Sequence, residues 1–228
     1  MKIGFVGMSG VGKTHWATQF ASAGFLCQHC DDSIASRLQN NTDLPMKNIY
    51  DLGAWMGFPY EEGFAAKEQQ YLTMEGQILS EMAEAIYDLP FDRNVVIDTT
   101  GSAIYLDETI LRKLKKSVLL VYLALTPEVH NQMLQEYMKR PRPLIWNNLF
   151  HKLPGETNES ALQRSYPVLI THREKLYDAY SDIRIAYGVH RQSNLSARDF
   201  MEIIESAVQQ KVTRTDGTVV RGESVRGS

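Results

Sequence analysis

The 228-residue sequence has little of several features that mark particular classes of protein. It contains two cysteines, too few for the disulfide framework of a secreted chain, and Cys27 and Cys30 are predicted to be buried apolar side chains. Its 24 basic and 27 acidic residues leave a formal net charge of −3, so it lacks the basic surplus that binding to a nucleic-acid backbone requires. No apolar run approaches the roughly 20 residues that cross a bilayer, and the opening MKIGFVG lacks the apolar stretch of a secretory leader. We therefore expect a cytoplasmic protein with neither a nucleic-acid nor a membrane partner.

The sequence does contain an alternation of short apolar runs with stretches of helical periodicity. Five runs predict β-strands, at residues 2–6, 25–30, 94–98, 117–125 and 182–188. The third and fourth runs are almost continuously apolar, which is typical of strands buried on both faces of a parallel sheet. Helices are predicted between the strands, and one of them starts at Thr126, with Pro127 and Glu128 in its first turn. The alternation predicts an α/β domain with a parallel sheet, followed by a disordered tail at residues 213–228.

The first predicted strand runs directly into a glycine-rich segment, GMSGVGKT. Gly7, Gly12, Lys13 and Thr14 satisfy the pattern G-x-x-x-x-G-K-[ST] of a phosphate-binding loop. Glycine lets the backbone curl so that its N–H groups face phosphate oxygens, and the helix that follows adds its positive end. In this chemistry Lys13 reaches the β- and γ-phosphates, and the Thr14 hydroxyl binds Mg2+. We therefore predict a nucleoside triphosphate site that also includes Ser9, Gly10, Val11 and His15.

A basic segment, KRPRPLI, follows the helix after the fourth predicted strand. Its prolines end that helix, and the residues that follow are predicted as a long mobile loop. Phosphoryl transfer requires exclusion of water and neutralisation of the negative charge on the moving group. Lys139, Arg140 and Arg142 would provide the neutralisation if the loop closed as a lid. The alternative is a solvated basic turn that binds no ligand.

Further segments extend the pattern beyond the phosphate-binding loop. In order along the chain they are CDDSIASRL, MGFPYEEGFAAKE, VVIDTTGS, RPLI and REKLY. Together with GMSGVGKT, this ordered series resembles the shikimate kinase family over about residues 1–208. The resemblance implies a three-layer P-loop NTPase fold, in which helices and a lid surround a five-stranded parallel sheet. It implies a single kinase domain at residues 1–212, with the acceptor-binding region at about 31–75, the lid at about 139–158 and the nucleotide base near residues 190–194.

The resemblance also implies an activity and a set of residue roles. The activity is phosphorylation, with ATP and Mg2+, of a hydroxyl group on shikimate or a related hydroxylated metabolite, with or without a carboxylate, by a monomeric enzyme. Asp31 stands where the family has the carboxylate that contacts the acceptor hydroxyl, with Asp32 as an alternative, and either could instead cap the next helix. Arg142 would contact the transferring phosphate and the nucleotide. Gly101 and Arg173 would bind the acceptor, the arginine through its carboxylate.

Three positions depart from the family pattern. Ala65 stands where the family has an arginine that grips the substrate carboxylate. Thr99 and Thr100 replace two glycines that approach the substrate ring, and their hydroxyl groups could instead contact a polyol. His29 stands where the family has an aspartate that helps to hold Mg2+, so Asp98 is predicted to bind the metal with the loop threonine, its alternative role being that of a turn residue. Because these changes fall on the acceptor side, an alternative function is that of a nucleotide-binding regulatory protein without catalysis.

Overall fold

The computed structural model describes residues 1–41, 45–46 and 48–219. Five parallel β-strands form one sheet in the order β2-β3-β1-β4-β5. The strands are β1 Lys2–Val6, β2 Leu26–His29, β3 Val95–Asp98, β4 Leu119–Leu123 and β5 Ile183–Ile185. All five predicted strands are therefore confirmed, although four of them are shorter than predicted.

Helices connect the strands and flank the sheet, which confirms the predicted α/β architecture. In the described part of the chain they are α1 Lys13–Ser22, α2 Cys30–Asn41, α3 Ile49–Met56, α4 Phe64–Tyr87, α5 Glu108–Ser117, α6 His130–Lys139, α7 Asn158–Tyr180, α8 Tyr187–His190 and α9 Ala197–Val219. Two short 3-10 turns, Ala103–Tyr105 and Pro127–Val129, precede α5 and α6. Among the described residues, no helix combines the length and the apolar character needed to cross a membrane.

Three of these helices had no counterpart in the sequence prediction, and local hydrogen bonds account for two of them. The Asn48 side chain caps α3 by accepting hydrogen bonds from the amides of Tyr50 and Asp51. The Asp107 side chain caps α5 in the same way by accepting a hydrogen bond from the amide of Thr109. The single turn of α8 begins within the predicted fifth strand, since its first two residues, 187 and 188, fall in that range and its last two lie beyond it.

Two predicted helix ends also differ from the structure. The Thr126 side chain makes no capping hydrogen bond, because residues 127–129 form a 3-10 turn and α6 begins only after it. The last helix continues through residues 213–219, which were predicted as the start of the disordered tail, since no proline interrupts its backbone there. The remainder of the predicted tail, residues 220–228, lies outside the described residues.

An aromatic cluster fixes the first helix against the sheet and the last helix. Phe5 of β1 packs against Phe20 of α1 and Phe200 of α9, with ring centroids 5.8 and 6.1 Å away. Trp16 stacks on Phe200 with a centroid distance of 3.9 Å, and its indole Nε1 donates a hydrogen bond of 2.9 Å to the carbonyl of His190. Because all five strands are parallel, their carboxyl ends share one edge of the sheet, and this packing holds the start of α1 at that edge.

Candidate active site

The glycine-rich loop between β1 and α1 has a backbone that only glycine adopts easily. Gly7, Gly10 and Gly12 have φ angles of +146°, +87° and +115°. A Cβ atom at Gly7 would lie 2.8 Å from the carbonyl oxygen of Leu123, so a side chain there would displace the strand beside the loop. The loop passes directly into the N-terminus of α1, whose free N–H groups favour an anion. The predicted phosphate-binding residues Ser9 to Thr14 therefore form one continuous curl at the sheet edge.

Lys13 lies at the centre of this curl and is almost completely buried. Its Nζ donates hydrogen bonds to the carbonyl oxygens of Gly7 (2.9 Å) and Met8 (3.2 Å). Burial lowers the pKa of Lys13, while the negative charges of Asp98 and Asp31 act in the opposite direction. The ammonium group thus has carboxylates from the ends of two other strands within electrostatic reach.

Two arginines lie against the outer side of the loop. A Cβ atom added to Gly10 would be 3.1 Å from Nη1 of Arg142, and one added to Gly12 would be 3.3 Å from Nη1 of Arg191. Both arginines line a pocket together with loop residues Ser9, Gly10 and Val11 and with Tyr187. His15 is exposed, packs edge-on against Trp16 and does not line this pocket. Cationic groups on both sides of a glycine loop suit a polyanion such as a triphosphate.

The predicted metal ligands lie at the ends of two neighbouring elements. Thr14 is exposed in the first turn of α1, and Asp98 is a buried residue at the end of β3. Hydroxyl and carboxylate oxygens are hard ligands of the kind that Mg2+ prefers, so this pair fits the metal. Within the described residues, no group of three or more His, Cys, Asp and Glu side chains could hold a metal on its own. Mg2+ bound here would therefore take its remaining ligands from phosphate oxygens and water.

Asp98 has a protein partner that sequence analysis did not foresee. His29 Nδ1 lies 3.2 Å from Asp98 Oδ2, and this hydrogen bond raises the pKa of His29. On the other side of the ring, His29 Nε2 lies 3.2 Å from Cys27 Sγ. Cys30 is fully buried as predicted. Cys27 is only partly buried, since it lies on β2, the edge strand of the sheet, and it faces the same side as His29 because positions i and i+2 of a strand share a face.

On the acceptor side, the structure separates the two candidate aspartates. The Tyr71 hydroxyl donates a hydrogen bond of 2.8 Å to Asp31 Oδ1. Burial raises the pKa of Asp31 to about 6, although the hydrogen bond from Tyr71 and the charge of Lys13 oppose this rise. Asp32 is exposed and lines a surface depression with Arg37. Neither aspartate is the N-cap residue that was considered, since α2 already begins at Cys30.

Arg173 is buried on α7, and each of its three guanidinium nitrogens donates to a protein acceptor. Nη1 donates to the carbonyl of Gly101 (3.0 Å), Nε to the hydroxyl of Tyr105 (3.3 Å) and Nη2 to the carbonyl of Ile145. The Tyr177 hydroxyl donates to the same Gly101 carbonyl. Arg173 therefore joins α7 to the loop after β3 and to the predicted lid, and it makes no ion pair with an acidic residue in the part of the chain that the structure describes. Its role as an acceptor ligand remains a prediction.

The side-chain hydroxyl groups that follow β3 form hydrogen bonds with other groups of the protein. Thr99 Oγ1 donates to the carbonyl of Phe5 at 2.6 Å. Thr100 Oγ1 lies 3.1 Å from Ser102 Oγ, which donates to Glu75 Oε2 at 2.8 Å. The Thr99 hydroxyl therefore donates its hydrogen bond to a backbone carbonyl, and contact of the Thr99 or Thr100 hydroxyl with a polyol remains a prediction.

Glu75 and Tyr71 are site residues that sequence analysis missed. Both lie on the buried face of α4, where Glu75 has no exposed surface. The sequence does contain a signal, since Glu75 is a charged residue in the apolar stripe that includes Ile78, Met82 and Ile86. Ala65 is exposed in the first turn of the same helix and brings no charge to the site.

The predicted lid is attached to α4 through its backbone. Residues 140–157 contain no helix or strand between α6 and α7. The amides of Trp146 and Asn147 donate to Glu68 Oε1 on α4, the second at 3.1 Å. The Trp146 side chain is 1% exposed. The predicted lid therefore packs against α4 through Glu68 and against α7 through Arg173.

Comparisons with known proteins agree with this geometry. The shikimate kinase family model matches residues 9–210 of the chain. A shikimate kinase from Acinetobacter baumannii, solved in complex with shikimate, is similar in structure with a TM-score of 0.57 and 21% sequence identity, over 92% of this chain and 93% of its own. A shikimate kinase from Bacteroides thetaiotaomicron gives a TM-score of 0.51 and 18% identity, over 94% of this chain and 97% of its own. A comparison with curated protein sequences gives no match.

Proposed function

The chain belongs to the shikimate kinase family, and we propose that it transfers the γ-phosphoryl group of ATP to a hydroxyl group of shikimate or a related hydroxylated metabolite. One observation supports this proposal above the others. Lys13, at the centre of the glycine loop, lies within electrostatic reach of Asp31 on the acceptor side and of Arg142 on the lid. A phosphate-binding cation and a candidate base therefore interact electrostatically, and the lid cation Arg142 lies against the loop, with Nη1 3.1 Å from a Cβ atom added to Gly10.

In the proposed reaction, the acceptor oxygen forms a bond to the γ-phosphorus while the bond from that phosphorus to the bridging oxygen breaks. ADP leaves, and the hydroxyl proton passes to Asp31, whose ionised form is the base. Lys13 and Arg142 neutralise the charge on the moving phosphoryl group. Thr14 and Asp98 would hold Mg2+, which supplies further charge neutralisation on the phosphates.

The proposal extends to the setting of the reaction. The enzyme acts as a cytoplasmic monomer on a small molecule, without a nucleic-acid or membrane partner. The net charge of −3 supports the expectation that the protein has no nucleic-acid partner, because the chain offers no basic surplus for a polyanion. Sedimentation analysis at micromolar concentration would test the monomer.

The activity is tested by measuring ADP formation from ATP and Mg2+ with a panel of hydroxy acids and polyols. We expect turnover with at least one acceptor and one phosphorylated product per ADP. Calorimetry with ATP and Mg2+ provides the second measurement. Binding of ATP without turnover on any acceptor would instead support a regulatory nucleotide-binding protein, and no heat of binding with any nucleotide would contradict both functions.

A further inference from the structure

Two arginines at the start of the predicted lid share one aromatic partner on α3, Tyr50. The guanidinium carbon of Arg140 lies over the Tyr50 ring, 3.4 Å from its centroid. The guanidinium carbon of Arg142 lies 5.5 Å from the same centroid, and its Nη2 donates a hydrogen bond of 3.4 Å to the Tyr50 hydroxyl. Both carbons are within the distance at which an aromatic ring attracts a cation. Tyr50 therefore contacts both cations through its ring and one of them through its hydroxyl.

The backbone at the start of the predicted lid also packs closely against α3. Gly53 lies three residues after Tyr50 on that helix, so the two residues share a face. A Cβ atom added to Gly53 would overlap the carbonyl group of Pro141 and lie 2.8 Å from Cα of Arg142. A side chain at this position would therefore displace the backbone that carries Arg142. One face of α3 thus contacts that backbone through Gly53 and the arginine side chain through Tyr50.

The other edge of the Arg142 guanidinium lies at the phosphate-binding loop. Its Nη1 would be 3.1 Å from a Cβ atom added to Gly10, and the arginine lines one pocket with Ser9, Gly10 and Val11. The group therefore lies between the loop, on its Nη1 side, and Tyr50, on its Nη2 side. In the part of the chain that the structure describes, Arg142 makes no ion pair with a carboxylate. A carboxylate would neutralise the charge that attracts phosphate, whereas an aromatic ring holds a guanidinium without neutralising it.

We propose that Tyr50 is a positioning residue, which holds Arg142 at the phosphate-binding loop so that the arginine contacts the γ-phosphate of the bound nucleotide. This inference rests on the proposed function and deepens it, because it names the side chain through which α3, in the predicted acceptor-binding region, acts on the transferring phosphate. A freely rotating arginine loses conformational entropy when it binds a phosphate. The contact with Tyr50 reduces that loss, because it restricts the side chain before the nucleotide binds.

The test compares two nucleotides that differ in the γ-phosphate. Calorimetry with Mg2+ measures the Kd of ADP and of a non-hydrolysable ATP analogue for the unmodified protein and for Tyr50→Ala. We expect the variant to bind the analogue about tenfold more weakly and to bind ADP within about twofold of the unmodified protein. Because a misfolded variant would lose both nucleotides, ADP binding also monitors the fold. Tyr87→Ala changes an exposed tyrosine at the end of α4 and should alter neither Kd.

A double-mutant cycle shows whether Tyr50 acts through Arg142. Arg142→Ala should weaken binding of the ATP analogue at least as much as Tyr50→Ala does, and adding Tyr50→Ala to it should cost less than about twofold more. Tyr50→Phe keeps the ring and removes only the long hydrogen bond, so we expect its Kd for the analogue to rise by no more than about threefold. In the assay of ADP formation, Tyr50→Ala should lower kcat about tenfold and leave the KM of the acceptor nearly unchanged.

The outcomes separate this inference from the proposed function. Unchanged binding of the analogue by Tyr50→Ala, an equal loss for both nucleotides, or additive losses with Arg142→Ala overturn the role of Tyr50. A loss in Tyr50→Phe as large as that in Tyr50→Ala overturns the part assigned to the ring. The expected binding pattern without ADP formation from any acceptor overturns the proposed phosphoryl transfer and leaves the role of Tyr50 in place. Failure of the unmodified protein to bind either nucleotide overturns both.

Discussion

The nucleotide half and the acceptor half of the candidate site are built in different ways. The nucleotide half comes mainly from one continuous segment, residues 7–14, in which glycine conformations and a helix start shape the backbone. The acceptor half combines side chains of α2, α4 and α7 with the loop after β3, from Asp31 to Arg173. The nucleotide half can therefore be predicted from eight consecutive residues, whereas the acceptor half depends on tertiary packing.

The largest expected effect tests whether the nucleotide half depends on a single side chain. Lys13→Met keeps an apolar stem of similar length but removes the charge that would neutralise the γ-phosphate. We expect kcat to fall by about a thousandfold or more. Lys116→Met, on the exposed face of α5, is the matched control and should retain full activity. Thermal unfolding should show both variants folded, and undiminished ADP formation by Lys13→Met would remove that residue from the mechanism.

The same contrast describes what could be predicted from the sequence. The five strands and their alternation with helices followed from apolar runs, because burial on both faces of a sheet leaves a local pattern. The glycine loop followed from its spacing, because positive φ angles require particular residues at particular positions. The strands and the glycine loop are both determined by residues that lie close together in the sequence.

The acceptor half could not be predicted in this way, because its contacts join distant residues. Nothing near Thr99 in the sequence indicates that its hydroxyl donates to the carbonyl of Phe5, and nothing near Arg173 indicates that its guanidinium donates to the carbonyl of Ile145. The resemblance to a family supplied positions for Asp31 and Arg173, but not their hydrogen bonds. Only Glu75 carried a local signal, as a charge within an apolar stripe.

A second prediction concerns the choice between the two aspartates. Asp31→Asn removes the base and should lower kcat by about 100-fold or more, whereas exposed Asp32→Asn should leave it nearly unchanged. Because burial raises the pKa of Asp31 to about 6, its basic form is lost as the pH falls through that value. In the unmodified protein, kcat/KM should therefore decline below about pH 6. Equal losses in the two variants would show that the geometry around Tyr71 does not select the base.

The smallest expected effect concerns folding stability. It tests whether Glu75 in the acceptor half is as inaccessible to water as its burial in the structure indicates. Burial raises the pKa of Glu75 to about 8, from an ordinary value of 4.5, so between these values the folded protein binds a proton that the unfolded chain releases. Folding stability should consequently fall as the pH rises through this window, by at most about 1.4 kcal/mol per pH unit for this one group. Urea unfolding from pH 5.5 to 8.5 measures the slope, which Glu75→Gln should reduce by the share that this carboxyl contributes. Parallel curves for the two proteins would mean that water reaches Glu75. In that case the acceptor half would be an open, solvated cleft, in which water screens the charges of Glu75 and Asp31.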